Sequence, residues 1–155
     1  MRHVGIFVIA ALLATSTLFV GCKKDEKSTP KPVINLKELG YFNHETGILE
    51  SKIAYAGKDL HVESEILAEG KIDKIIIQIH PEEQHGKKNF YSVSANEQWE
   101  LDTTFTEFTG LKNVDFHKHI DVPVNTPTGH YHFHLIVNDM EGQQTTVEVE
   151  IEIKK

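Results

Sequence analysis

The chain has 155 residues, with 16 Lys+Arg against 23 Asp+Glu and a formal net charge of −7 at pH 7. That length suits one domain with one core, and the acidic balance, with no basic patch, excludes nucleic acid as a natural partner. The single cysteine, Cys22, leaves the rest of the chain without a disulfide, a thiolate metal site or a cysteine nucleophile.

In chain order, residues 1–21 read as a secretory signal. Arg2 and His3 give a basic start, and Val4 to Val20 form an apolar run broken by Gly5 and the Thr15–Ser16–Thr17 patch. The run is too short and too interrupted for a permanent membrane helix. Phe19–Val20–Gly21–Cys22 resembles the lipobox of bacterial lipoproteins, although Phe19 stands where Leu is usual. The resemblance implies that Cys22 is lipidated and becomes the mature N-terminus, its acyl chains held in a membrane. Residues 22–31 carry no apolar side chain after the cysteine and read as a solvated tether. Within it, Lys24–Asp25–Glu26 either resembles the export signal of surface lipoproteins or is a plain polar spacer. The expected location is the cell envelope, as an outer-membrane lipoprotein, with the periplasmic or surface-exposed face left open.

Residues 32–155 alternate apolar and polar side chains in short runs, the period of strands. The spacing predicts strands over Val33–Glu38, Asp59–Ala68, Ile72–His80, Trp99–Phe105, Val114–Val122, Gly129–Val137 and Thr145–Ile153, with an extra short strand at Phe90–Val93. Inward faces are expected from Leu60, Val62 and Ile66, from Ile75, Ile77 and Ile79, from Phe116, Ile120 and Val122, and from Tyr131, Phe133, Leu135 and Val137. A hairpin turn is expected at Asn138–Gly142. This is an all-β pattern, an immunoglobulin-like sandwich of about seven antiparallel strands. Gly129–His130–Tyr131 resembles the tyrosine corner of that fold, while its Cys…Trp…Cys core is missing.

Ten histidines are present, and all but His3 lie beyond the signal. His117 and His119 flank Lys118, and His130, His132 and His134 alternate with Tyr131 and Phe133. Residues i and i+2 share one face of a strand, so each set projects imidazoles together, away from the apolar face. Successive strands run in opposite directions, which brings His44, His61, His80, His85, His117, His119 and the 130–134 set toward one end of the sandwich. Two groupings follow: His80 with His130 or His132, and His61 with His119 and Asp121. The sandwich is about 10 Å thick, thin enough for the two groups to merge across its end. A full strand at Phe90–Val93 would reverse the parity and separate His44, His61, His80 and His85 from the others.

The expected metal ligands are His61, His80, His117, His119, His130, His132 and His134, shared among more than one ion, with Asp121, His44 and His85 as further candidates. Imidazole with carboxylate from Asp121, Glu82 or Glu83 suits Zn²⁺, Cu²⁺ or Ni²⁺; Met140 is the only thioether left, so Cu(I) is poorly served. Heme capture by a histidine pair is a variant. The expected role is capture or delivery of a divalent transition metal, with an outer-membrane importer as the protein partner. The alternative is a structural or adhesive module binding protein or glycan without metal.

No catalytic residue is expected. Pro127–Thr128–Gly129–His130–Tyr131–His132 resembles part of the second cupin motif, but Ile136 replaces its Asn, and His117–Lys118–His119 lacks the Glu of the first. No nucleophile elbow, phosphate loop or Cys-x-x-Cys pair is present. Across residues 32–153 the chain resembles the lipoprotein family of domain of unknown function 4625. The resemblance rests on Asp59–Leu60–His61, Ile77–Gln78–Ile79–His80–Pro81, Phe116–His117–Lys118–His119–Ile120 and Gly129–His130–Tyr131–His132–Phe133–His134. It implies an immunoglobulin-like, lipid-anchored domain and leaves the activity to be read from the histidines.

Overall fold

In the computed structural model, residues 29–82 and 99–155 are described, and they form nine strands and no helix. These are β1 (Val33–Asn43), β2 (Ile48–Ser51), β3 (Ile53–Tyr55), β4 (Asp59–Leu67), β5 (Ile72–Pro81), β6 (Leu101–Phe105), β7 (Asn113–Asp121), β8 (Gly129–Asp139) and β9 (Gln144–Lys154). They build two sheets, of order β2-β1-β4-β7 and β3-β9-β8-β5-β6. The all-β sandwich expected from alternation is therefore present, with every expected neighbour in place: β4 beside β7 and β5 beside β8.

Alternation explains the packing. Ile75, Ile77 and Ile79 of β5, Phe133, Leu135 and Val137 of β8, and Leu60, Val62 and Ile66 of β4 are all fully buried between the sheets with Phe116 of β7. Each sheet thus buries one face and turns the other to solvent, the face on which the histidines stand. The Tyr131 hydroxyl donates to the Pro127 carbonyl at 2.9 Å, closing the tyrosine corner. Asp139 Oδ1 accepts from the Glu141 and Gln143 amides and so fixes the expected hairpin between β8 and β9.

The departures from expectation are local. Residues 44–58, expected as a connection, contain two short strands: β2 extends the first sheet as a hairpin with β1, and β3 adds to β9 in the one parallel pairing among the described residues. Lys52, between them, has a φ of 61°, which breaks the run that alternation would need. At Gly40 the φ is 155°, and a Cβ there would stand 2.1 Å from the Glu50 carbonyl oxygen. Only glycine lets β1 lie this close to β2.

Antiparallel succession sets two poles. Val33 of β1 sits opposite Leu67 at the end of β4, and the Thr145 hydroxyl clasps the Pro32 carbonyl at 2.6 Å, so the chain enters at that pole. The start of β4, the end of β7 and the end of β5 lie at the other. Leu101 of β6 faces Ile79, so β6 begins at the pole where β5 ends. The parity expected from seven strands is kept. Cys22, Glu83, His85 and Phe90–Val93 lie outside the described residues.

Candidate metal centres

The first centre stands on the outer face of the four-stranded sheet. The register of β4 and β7 sets His61 directly across from His119, and Glu63 across from His117. His117 Nε2 and His119 Nε2 are 3.2 Å apart, and the His61 ring lies 4.8 and 5.0 Å, centroid to centroid, from the rings of His117 and His119. One ring nitrogen from each of the three falls within 4.8 Å of the others. Two nitrogens held about 2.0–2.1 Å from one tetrahedral ion stand roughly 3.3 Å apart, so the His117–His119 spacing already matches a shared ion.

His61 is only 5% exposed although it points out of the sheet. Phe42 of β1 covers it, with ring centroids 5.4 Å apart, and the two other imidazoles close the sides. Its Nε2 lies 3.0 Å from Glu38 Oε2, while its Nδ1 is buried without a hydrogen-bond partner. Burial pushes this imidazole below its ordinary pKa, and His117 and His119 push the same way against Glu38. The ring is therefore held neutral, the form in which histidine binds metal.

His119 is oriented from behind. Its Nδ1 hydrogen-bonds the Asp59 carboxylate, so the proton sits there and the Nε2 lone pair faces His117. A carboxylate behind a ligating imidazole fixes the tautomer and raises the basicity of the ring. Burial alone would raise the Asp59 carboxyl; the bonds from His119 and from its own backbone offset this and leave it below the usual carboxylate value. His44, beyond β1, lies 5.5 Å from the His119 ring and groups with Asp59 and His119.

A second group stands on the outer face of the five-stranded sheet. His80 of β5 is directly opposite His132 of β8, and its Nε2 is 3.0 Å from His134 Nε2 with the two rings stacked. Glu148 of β9 sits behind, 3.2 Å from His132 Nδ1 and 4.0 Å from His134 Nδ1. Burial lowers the His134 pKa, opposed by Glu148 and assisted by His80 and His132. His130 is drawn to Glu150 instead, at 2.6 Å, within an exposed group that includes Glu82.

A family model described as Domain of unknown function (DUF4625) matches residues 20–154. The chain belongs to this family. Among solved structures, the soluble domain of PmoD from Methylocystis sp. ATCC 49242 (Rockwell) is similar, at 12% identity and a TM-score of 0.39, over 79% of this chain and 90% of that one. A likeness that distant carries no functional information. No curated protein matches the chain.

In this DUF4625 domain, strand register sorts the expected ligands. His61, His117 and His119 come together with a nitrogen of each within reach of the others. His80 stands opposite His132, as expected, but its nitrogen meets that of His134, and His130 is apart. The groups do not merge: they share a pole but occupy outer faces of opposite sheets, with the hydrophobic core between them. Asp121 pairs across to Asp59 rather than joining the three imidazoles. Asp59, Glu38 and Glu148, which surround the rings, escaped the sequence reading. Asp59 shares the outward face of β4 with His61 at i−2, and Glu148 shares an outward face with Glu150 and Glu152. The period-two pattern could have shown both, once strand pairing was known.

Proposed function

We propose that this domain binds a divalent transition metal, Zn²⁺, Cu²⁺ or Ni²⁺, through His61, His117 and His119, and serves in metal capture or delivery in the cell envelope. One observation carries the reading: a buried imidazole, its Nδ1 without a hydrogen-bond partner, facing two further imidazoles so that one nitrogen of each lies within 4.8 Å of the others. Buried polar groups are satisfied in folded proteins, and an exception calls for a missing partner. A cation at the centre of the three rings is that partner. The all-nitrogen donor set with a carboxylate behind it suits imidazole-preferring ions rather than Ca²⁺ or Mg²⁺, and the fourth position is left to water or to a delivered ligand.

The signal-like residues 1–21 and the lipobox-like Cys22 support an anchored lipoprotein of the outer membrane; metal delivery there would call for an importer as the receiving partner. Calorimetric titration with Zn²⁺ at pH 7.5 and 5.5 tests the metal reading. Binding should be stoichiometric at pH 7.5, fall at least tenfold at pH 5.5 as the imidazoles protonate, and lose its tightest phase in a His61→Ala/His117→Ala/His119→Ala variant. A folded triple variant that binds zinc as tightly as the parent removes this centre.

A further inference from the structure

We infer that the outer face of the five-stranded sheet carries a second, separate site for a divalent transition metal, held by His80 Nε2 and His134 Nε2. The inference extends the metal-binding reading to another face but uses none of the residues of the first centre.

His80 Nδ1 lies 3.3 Å from the Pro81 carbonyl oxygen. A carbonyl only accepts, so the His80 proton sits on Nδ1 and Nε2 carries the lone pair. His134 Nδ1 lies 4.0 Å from the Glu148 carboxylate, beyond hydrogen-bond reach, but the negative charge on that side favours the tautomer with the proton on Nδ1. The opposite tautomer would turn a bare lone pair toward a negative charge. With the proton on Nδ1 of both rings, two lone pairs face each other across 3.0 Å. Without metal the pair relieves this by moving the His134 proton to Nε2 and donating it to His80. A cation is instead held by both lone pairs, and the separation fits two nitrogens on one ion of the kind named above.

The surroundings fit as well. Glu148 meets His132 Nδ1 at 3.2 Å, so its carboxylate orients the His132 ring and places negative charge behind the cluster. The His132 ring lies 5.3 Å from that of His80, close enough to become the third ligand by side-chain rotation, and water would fill what remains. The Gln78 amide donates to Asp102 at 2.9 Å and takes no part. Compared with the first centre, this site has two preset ligands rather than three, and His80 is exposed where His61 is buried. It should therefore bind more weakly. The two sheets pack about 10 Å apart with the core between, so one ion cannot serve both faces.

The test uses the full chain and Zn²⁺, with Cu²⁺ as a spectroscopic probe. The parent should take up two equivalents of Zn²⁺ in two phases and give two superimposed Cu²⁺ paramagnetic resonance signals. His80→Ala/His134→Ala should lose the weaker equivalent and one signal, and the milder His80→Gln/His134→Gln should do the same, with circular dichroism showing that both stay folded. The variant lacking His61, His117 and His119 should keep the weaker equivalent. Unchanged zinc uptake in both His80/His134 variants overturns the inference and leaves the first centre standing. Zinc lost from those variants but kept by the triple one upholds it and sinks the first centre instead.

Discussion

An imidazole nitrogen shut away from water without a hydrogen bond costs the fold about 1–3 kcal/mol, and His61 Nδ1 is such a group. Nothing in core packing demands it, because its ring lies outside the apolar layer against Phe42. A His61→Phe substitution keeps an aromatic surface there and removes the unsatisfied nitrogen. The metal-free variant should gain about 1–2 kcal/mol in urea denaturation, while its zinc affinity drops at least tenfold by calorimetry. A variant that is less stable than the parent in the absence of metal would show that His61 Nδ1 is satisfied after all. The opposed responses of stability and binding are what distinguish a ligand from a packing residue.

At the scale of the strand, side-chain alternation was enough to place β4 to β9, because each carries at least two large apolar residues on one face. The short β2 and β3 offer no such run: Ile48–Ser51 is half exposed, and Lys52 interrupts the sequence at once. Their pairing is decided by tertiary contact with β1 and β9, which no local pattern encodes. The same limit applies to the centres. That His117 and His119 share a face was legible from spacing, whereas the meeting of His80 with His134 instead of His130 depends on register between β5 and β8. Lys118 adds a feature hidden from pattern alone. It lies on the inward face of the edge strand β7, its ammonium 5.2 and 5.4 Å from the rings of Phe105 and Phe108 and paired with Glu107 at 2.8 Å. An inward charge of this kind guards a sheet edge against pairing with another chain. The β1–β2 hairpin depends on Gly40. Gly40→Ala would drive a methyl into the Glu50 carbonyl, so this substitution should cost about 1–3 kcal/mol, read as a lower midpoint in chemical denaturation. An unaltered midpoint would mean that β2 can shift without penalty.

For the whole molecule, both sheets carry a histidine whose pKa burial pushes down, His61 on one and His134 on the other. In the unfolded chain these rings take up protons near the ordinary imidazole value of about 6.5, while in the folded protein they resist. Between the unfolded and folded values the unfolded state binds more protons, so stability rises with pH there and is lost as pH falls from about 6.5. Metal-free protein should therefore melt at a lower temperature at pH 5.5 than at pH 7.5. Replacing both residues with phenylalanine should flatten that slope, and an equally steep slope in the doubly substituted protein would assign it to other groups.

The clasp of Thr145 on Pro32 has a consequence for orientation. It fastens the leading end of the domain at the pole remote from the imidazoles, and the nine residues of β4 between the two poles span about 30 Å. If Cys22 anchors the chain as proposed, its leash would pull on that remote pole and leave both clusters pointed outward from the bilayer like instruments on a mast. Cargo could then be exchanged with a tall neighbour in the same leaflet, while phosphate headgroups below stayed out of reach.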